Sequence, residues 1–229
     1  MAQLLLFDID GTLLIRAADD HRDAIHAAIR RVYRVREPET ARVEAAGRTD
    51  PQIARAIVMQ LGVPALRFEE RLRDFKRVAV EEYARRCRRD LSGHVAPGIP
   101  ALLDELEQRE DVVLSLVTGN LEPIARVKLG RAGIGHFFAR GQGGFGSDSE
   151  DRTDLPGVAR SRAGNGIGRP HPRADTVVIG DTPLDIACAR ADGVRCVAVT
   201  TGPYGAEELS GADAVVSSAR ELAAALAPR

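Results

Sequence analysis

Two aspartates, Asp8 and Asp10, follow directly on the apolar run of residues 4–7, and Gly11 and Thr12 come after them. Carboxylates are costly to bury without a counter-charge. A pair of them at the end of a core segment therefore indicates a bound cation and a reacting site. The alternative is a strand followed by a turn in which an acid caps a helix.

A second polar group follows the apolar run of residues 112–117. Thr118, Gly119 and Asn120 precede a predicted helix that begins near Leu121. A hydroxyl group and exposed backbone N–H groups at a helix N-terminus form a cradle for an anion. A turn with Thr and Gly is common between a strand and a helix, so the position at the end of a core strand is what strengthens this hypothesis.

A third apolar run, residues 176–179, ends before Asp181 and Asp185. Residues four apart face the same way across a helical turn. Both carboxylates can therefore form an acidic wall for a hard cation together with Asp8. The alternative is that Asp181 only caps the helix that starts near Pro183.

The elements that must position these groups are strands of one sheet. A fully apolar run of strand length is typical of a parallel strand that is buried on both faces. From residue 99 onward, predicted helices and strands alternate, which indicates an α/β fold with a doubly wound, mainly parallel sheet. In such sheets the loops beyond the carboxyl ends of the strands form the site. The predicted helices cover residues 99–109, 121–132, 154–163 and 184–192, and the later strands residues 195–199 and 214–216. The segment around Phe137 and Phe138 is not assigned, and residues 141–146 are predicted to be a flexible glycine-rich turn.

The segment between the first strand and residue 91 has a helical pattern throughout. The spacing predicts helices that begin near Asp20, at Asp50 with Pro51 in the first turn, and at Arg67. We therefore expect a sheet domain of residues 1–15 and 91–229 and an inserted helical domain of residues 16–90, although an independent helical domain is the alternative.

The charge distribution differs between these two parts. The inserted segment holds 18 basic and 13 acidic residues, against 14 and 20 in the rest. An acidic body suits a cation, and a basic insertion suits an anionic substrate. Because 30 of the 32 basic residues are arginine, a compositional bias explains the difference equally well.

The composition is that of an ordinary globular protein, with 44% hydrophobic and 28% charged residues and no apolar run of 18 residues. The N-terminus enters a strand without a basic or cleavable segment, and the cysteines have no paired spacing, so we expect a cytoplasmic protein without a membrane or nucleic-acid partner. The histidines show no ligand spacing and are expected at the surface or in packing. The cysteines are Cys87, Cys188 and Cys196, and the histidines are His21, His26, His94, His136 and His171.

The segment from Asp8 to Thr12 resembles the first motif of the haloacid dehalogenase-like hydrolase superfamily, most of whose members are Mg²⁺-dependent phosphatases. Thr118 and the pair Asp181 and Asp185 resemble its second and fourth motifs, and the helical insertion resembles the cap of its phosphoglycolate phosphatase-like branch. The resemblance covers essentially the whole chain. It implies hydrolysis of a small phosphorylated metabolite through an aspartyl-phosphate intermediate, with Mg²⁺ as cofactor, by a monomer or homodimer.

The resemblance also implies a role for each residue. Asp8 is the nucleophile, since an ionised carboxylate needs no activating base, and Asp10 is the general acid and base. Thr118 would hold a phosphoryl oxygen. Mg²⁺ would be held by the Asp8 carboxylate, the backbone carbonyl of Asp10 and Asp181, with Asp185 bracing the site through waters. The residues predicted to bind the substrate are Gly11, Thr12, Gly119, Asn120 and Arg48.

Arg48 lies in the loop ahead of the Pro51 helix, where we expect the non-phosphate end of the substrate. A guanidinium there can clamp a carboxylate with two hydrogen bonds. A solvated loop with a helix cap is equally compatible with the sequence. The phosphate ester itself is not indicated.

The family places a lysine before the helix that precedes the fourth-motif strand, and this chain has none there. Arg169 has the family's following proline but stands only 12 positions before Asp181. Lys128 has the right chemistry, yet it lies two turns into the helix after Thr118 and reaches back only if that helix is short or its side chain lies along the sheet. Arg152 has the right position, so we predict Arg152 over Lys128, the alternative being that Arg152 pairs with its acidic neighbours.

Four other functions compete with a phosphatase. Haloacid dehalogenases typically have no acidic residue at the position of Asp10. A hexose-phosphate mutase of the same branch keeps both acids and stays open. A phosphonate-cleaving lyase needs a reactive lysine in the insertion, where Lys76 stands among charged residues. A non-catalytic binding protein has usually lost an acid, and all four are present here.

Overall fold

The computed structural model describes residues 2–164 and 168–227. Its centre is a six-stranded sheet with the strand order β3-β2-β1-β4-β5-β6, in which every neighbouring pair is parallel. The strands are β1 (Gln3–Phe7), β2 (Val112–Thr118), β3 (Gly144–Phe145), β4 (Thr176–Gly180), β5 (Arg195–Val199) and β6 (Ala214–Val216). The helices are α1 (Asp19–Tyr33), α2 (Asp50–Gln60), α3 (Ala65–Arg86), α4 (Ile99–Glu107), α5 (Glu122–Arg131), α6 (Leu155–Ala163), α7 (Pro183–Asp192) and α8 (Ala219–Ala225).

Helices cover both faces of the sheet. Along β1, Leu5 and Phe7 join one hydrophobic cluster with residues of α4 and α5, while Leu4 and Leu6 join a second cluster with residues of α6 and α7. Successive side chains of a strand point to opposite faces, so a sheet covered on both sides needs apolar residues at consecutive positions. This arrangement confirms the predicted α/β class with a doubly wound parallel sheet.

The strand order reverses at β1, whose neighbours are β2 and β4. Phe7 at the end of β1 stands opposite Leu116 of β2 and Ile179 of β4. The amide of Asp8 then donates to the carbonyl of Ile179 at 2.8 Å, which fixes the first residue after the strand. Such a reversal leaves a crevice at the carboxyl ends of the strands, and these are the ends that carry the candidate residues.

The helices α1, α2 and α3 lie within residues 16–90, which we call the cap from here on. Tyr33 of α1 stacks on Phe68 of α3 with ring centroids 5.5 Å apart and planes 15° from parallel. The two chain segments that join the cap to the sheet are hydrogen-bonded to each other. The amide of Ile15 donates to the backbone carbonyl of His94 at 2.8 Å, and the amide of Ala96 donates to the backbone carbonyl of Leu13 at 3.0 Å. The division into two domains stays a prediction.

The sequence did not predict the edge strand β3. It indicates a turn over residues 141–146, whereas Gly144 and Phe145 pair with Val117 and Thr118 of β2. A side chain at Gly144 would place Cβ 2.2 Å from the carbonyl oxygen of Leu155, so only glycine fits there. A strand of two residues shows no apolar period in the sequence.

In the part of the chain that the structure describes, none of the helices has the length and apolar character to cross a membrane.

Candidate active site

Three buried carboxylates meet at the carboxyl ends of β1 and β4. Asp8, Asp181 and Asp185 each offer an oxygen atom, and these atoms all lie within 4.8 Å of one another. The predicted grouping of Asp181 and Asp185 with Asp8 is therefore present in the structure. Asp185 also forms a capping box at the start of α7, where its carboxylate accepts from the amide of Thr182 at 3.0 Å and from its hydroxyl at 2.7 Å.

The ionised forms of two of these acids are disfavoured. Burial, only partly offset by the guanidinium of Arg152, raises the pKa of Asp8 to about 7. Burial and the neighbouring charges of Asp8 and Asp185 raise the pKa of Asp181 to about 8. The protein alone does not supply enough positive charge to keep this cluster ionised.

Gly11 and Thr12 support Asp181 from the loop after β1. The hydroxyl of Thr12 donates to Asp181 Oδ1 at 3.0 Å. Gly11 has a φ of 89°, and a Cβ built on it would lie 2.1 Å from Asp181 Oδ2. Both residues therefore contact a candidate metal ligand, whereas the sequence predicts them as substrate-binding residues, a role that stays a prediction.

Arg152 enters the site from a single turn that precedes α6. Its Nη2 lies 3.3 Å from Asp8 Oδ2 and 2.5 Å from Asp185 Oδ1, and the side chain is almost completely buried. Burial opposes the charge of Arg152, but the two carboxylates outweigh burial and raise its pKa well above the usual value. The guanidinium thus remains charged beside the candidate nucleophile and does not pair with the acids next to it in sequence.

Lys128 reaches the other aspartate of the first motif. It is completely buried, and its Nζ lies 2.5 Å from Asp10 Oδ2. The helix α5 has only ten residues, which meets one of the two conditions under which the sequence allowed this lysine to reach back. Arg152 and Lys128 are therefore not alternatives for one position, because each lies beside a different aspartate.

The lysine is the middle of a longer buried network. His21 of α1 lies with Nδ1 3.0 Å from Lys128 Nζ and with Nε2 3.1 Å from Asp50 Oδ2. Asp50 also accepts from the amide of Leu121 at 2.8 Å. The sequence placed His21 at the surface or in packing and Asp50 only at a helix start, and both predictions missed this network. The one signal was that each residue begins a predicted helix of the cap.

The environment of Asp10 differs from that of Asp8. Burial opposes the ionised form of Asp10, but the charge of Lys128, the neighbouring His21 and the hydrogen bonds from Lys128 and Asn120 together outweigh burial and hold the pKa of Asp10 below its usual value. Asn120 Nδ2 donates to the same Oδ2 atom at 2.8 Å. Asp10 therefore rests as a carboxylate.

The residues after β2 form a second wall of the site. Gly119 and Asn120 line the central cavity, while Thr118 is completely buried. The Thr118 hydroxyl oxygen accepts from Asn120 Nδ2 at 3.0 Å and from the Asn120 amide at 3.3 Å. Both bonds leave the hydroxyl hydrogen to a further acceptor, so the predicted contact with a phosphoryl oxygen stays a prediction.

The cap loop before α2 packs tightly on the sheet domain. The amide of Asp50 donates to the carbonyl of Gly119 at 2.8 Å, and the hydroxyl of Thr49 donates to that of Glu150 at 2.7 Å. A Cβ on Gly119 would lie 2.1 Å from the backbone carbonyl oxygen of Arg48. Arg48 is half-buried and lines the cavity, and its backbone carbonyl lies against Gly119, at the end of the cavity next to β2. The predicted contact of its guanidinium with the substrate stays a prediction.

The donor set fits a hard divalent cation. Among the residues that the structure describes, the four carboxylates contact two cationic side chains, Arg152 and Lys128. The raised pKa values of Asp8 and Asp181 are those of acids that lack sufficient counter-charge. Asp10 Oδ1 and Asn120 Oδ1 are buried without a hydrogen-bond partner among the described residues. Carboxylate oxygens are the ligands that Mg²⁺ prefers.

These groups open on a cavity of about 480 Å³ between the sheet and the cap. A larger cleft of about 660 Å³ lies at the opposite ends of the strands, among several arginines. There Arg109 pairs with Asp111 and Arg190 with Asp213, each at 2.9 Å. The cavity beside Asp8 is therefore the candidate active site.

The chain belongs to the haloacid dehalogenase-like hydrolase family, whose model matches residues 5–190. This span runs from β1 into α7 and includes every candidate residue from Asp8 to Asp185. The family predicted from the motifs is thereby confirmed, and with it the class of hydrolase. No curated protein matches this sequence.

Solved structures share the fold over nearly the whole chain. A hydrolase from Pseudomonas syringae is 20% identical with a TM-score of 0.66, and the match covers 99% of this chain and 98% of that one. A protein designated a phosphoglycolate phosphatase from Haemophilus somnus is 18% identical with a TM-score of 0.66, over 99% and 98% of the two chains. One designated a β-phosphoglucomutase from Bacteroides vulgatus is 19% identical with a TM-score of 0.66, over 97% and 86%.

Proposed function

We propose that this protein is a Mg²⁺-dependent phosphatase that hydrolyses a small phosphate monoester through an aspartyl-phosphate intermediate. The observation that carries the proposal is the cluster of Asp8, Asp181 and Asp185 with Arg152 at the edge of a cavity. A non-catalytic protein has no need for buried carboxylates whose ionisation is costly.

In the first step, the carboxylate of Asp8 attacks phosphorus, and the ester P–O bond breaks. The leaving oxygen takes a proton from Asp10, so the organic product departs as an alcohol. An incoming phosphate adds negative charge beside Asp10 and raises its pKa again, so Asp10 takes up a proton from solvent before the transfer and can act as the acid despite Lys128. Arg152 offsets the charge already carried by Asp8 and by the phosphoryl oxygens, which otherwise repel each other.

In the second step, Asp10 takes a proton from water, and the resulting hydroxide attacks phosphorus. The bond between phosphorus and Asp8 breaks, which restores the carboxylate and releases inorganic phosphate. Lys128 and Asn120 hold Asp10 in place through both steps, since each contacts its Oδ2 atom.

The residues that would hold Mg²⁺ are Asp8, Asp181 and the backbone carbonyl of Asp10, with Asp185 supporting them. When bound, the cation supplies positive charge that stabilises the transferring phosphoryl group. Asp185 already bonds to Arg152 and Thr182, which suits a supporting role better than direct ligation.

The test is phosphate release from p-nitrophenyl phosphate by the purified protein with and without Mg²⁺. We expect EDTA and Asp8→Asn each to abolish turnover, because the nucleophile and one metal ligand are the same group. Asp104→Asn, an exposed acid on α4, is the matched control and retains activity. Normal turnover of Asp8→Asn contradicts the mechanism.

A hexose-phosphate mutase is the second candidate, since a protein of that designation shares the fold. A mutase protects its aspartyl phosphate from water until a second sugar hydroxyl arrives. It would therefore need a bisphosphate activator and release little phosphate. Stoichiometric phosphate release without an activator decides for the phosphatase.

A further inference from the structure

We propose that the organic group of the substrate is mainly apolar, an alkyl or aryl group held between α1, α2 and the cap segment of residues 41–46. This inference rests on the proposed phosphatase function and names the substrate class of that site. It is carried by which side chains line the cavity and how they are arranged along the two helices.

The cavity has a catalytic end and an apolar end. His21 and Asp50 bond to each other beside Lys128, so the starts of α1 and α2 lie at the catalytic end. Ile53 and Ile57 follow Asp50 at helical spacing and also line the cavity. At a rise of 1.5 Å per residue, Ile57 lies about 10 Å along the helix from Asp50.

The apolar end is a continuous hydrophobic wall. Ile25 and Ile57 are buried members of the main core cluster, and Ala41, Val43 and Ile53 pack against it. Because these side chains belong to the packed core, the wall is preformed. None of the five offers a hydrogen-bonding side chain.

Apart from those at the catalytic end, the polar cap residues that line the cavity lie toward its rim. Arg22 and Glu39 are exposed, and each already has an ion-pair partner on the cap, at 3.0 Å from Asp19 and 2.5 Å from Arg30 respectively. His26 is half-buried beside them on α1. Arg22 and Glu39 are therefore already paired with residues that do not line the cavity.

The apolar wall disfavours the binding of smaller and more polar substrates. A two-carbon ester such as phosphoglycolate leaves most of the 480 Å³ empty. A sugar phosphate fills the space but sets its hydroxyl groups against isoleucine and valine, where they lose hydrogen bonds to water without replacement. An apolar group of about six carbons or more gains from the same burial.

The experiment measures kcat/KM for methyl, butyl and hexyl phosphate under one set of conditions, beside phosphoglycolate and glucose 6-phosphate. We expect kcat/KM to rise roughly fourfold for each added methylene until the cavity is filled. Hexyl phosphate should exceed both polar esters. A flat or falling alkyl series, or preference for either polar ester, overturns the inference.

Two substitutions on α2 locate the effect. Ile53→Ala removes part of the wall and should lower the ratio of kcat/KM for hexyl over methyl phosphate by roughly tenfold. Met59→Ala, on the same helix but exposed and outside the cavity, should leave that ratio unaltered. Equal ratios for both variants contradict the assignment of the wall.

Failure of the inference and failure of the phosphatase function give different results. Phosphate release from glucose 6-phosphate but not from hexyl phosphate keeps the phosphatase and refutes the apolar substrate. If no ester is hydrolysed, the phosphatase proposal fails, and calorimetry with hexylphosphonate and methylphosphonate still decides, because these analogues bind without turnover. Tighter binding of the hexyl compound supports the wall, and equal binding refutes it.

Discussion

Replacing Lys128 by methionine removes a buried charge while keeping most of the side-chain volume. The lysine is completely buried, and its ammonium group lies 2.5 Å from Asp10 Oδ2 and 3.0 Å from His21 Nδ1. The substitution leaves both groups without this partner. Removing one member of a buried ion pair typically costs 3 to 5 kcal/mol. Because the Asp10 side chain is 28% exposed, we expect the lower end, about 3 kcal/mol.

Urea denaturation at neutral pH measures this loss. The chain offers a matched control, because it has only one other lysine. Lys76 donates a single hydrogen bond at 3.0 Å to the carbonyl of Ser147, so Lys76→Met should cost only about 1 kcal/mol. A double-mutant cycle that combines Lys128→Met with Asp10→Asn isolates the pair, and we expect a coupling free energy of about 2 kcal/mol. A coupling free energy below about 0.5 kcal/mol would show that the two residues do not interact. It would refute the claim that Lys128 holds Asp10 as a carboxylate.

Three further variants test other parts of the structure. Arg152→Ala should lower kcat about a hundredfold, on the order of 3 kcal/mol, because the guanidinium beside Asp8 is lost. Steady-state phosphate release measures kcat. A variant with nearly wild-type kcat contradicts the proposed role of Arg152. Gly119→Ala places Cβ 2.1 Å from the carbonyl oxygen of Arg48. The variant should therefore displace the cap loop before α2 and lower both kcat/KM and the melting temperature. Wild-type values of both would mean that this loop does not contact Gly119. On α3, burial opposes ionisation of Glu82, but three arginines outweigh it and lower its pKa from 4.5 to about 2. The ionised form therefore stabilises the fold above pH 4.5. Because the three arginines are partly exposed and solvent screens their charges, Glu82→Gln should lower the free energy of unfolding by about 1 to 2 kcal/mol at pH 7, and the difference from wild type should narrow as the pH falls toward 2. A pH-independent difference refutes the ion pairs as its cause.

The sequence was sufficient for the strands that carry the candidate site. β1, β2 and β4 are central strands buried on both faces, so their residues form unbroken apolar runs that end at polar clusters. Parallel strands bring their carboxyl ends to one edge, and this rule alone placed Asp8, Thr118 and Asp181 together. The prediction depended on local pattern and on one general property of the fold.

What the sequence missed depends on contacts between distant residues. The network from Asp10 through Lys128 and His21 to Asp50 joins positions that are up to 118 residues apart. No periodicity records such a contact, because it follows from how α5 and the cap pack on the sheet. The apparent choice between Arg152 and Lys128 arose for the same reason, since position along the chain could not show that they approach the site from different sides.

These separate approaches give the two aspartates of the first motif different supports. The charged groups that act on Asp8 lie in the sheet domain. Arg152, on the turn before α6, attracts its charge, and Asp185, on α7, repels it. Asp10 is held by Lys128, and that lysine is held in turn by His21 of the cap. A displacement of the cap would therefore alter the surroundings of the proposed acid and base while it leaves the proposed nucleophile in place. In the proposed mechanism, Asp8 has one task throughout and Asp10 has two opposite ones. Asp10, the residue whose protonation must change, is thus the one that is linked through Lys128 and His21 to the cap, which encloses the substrate.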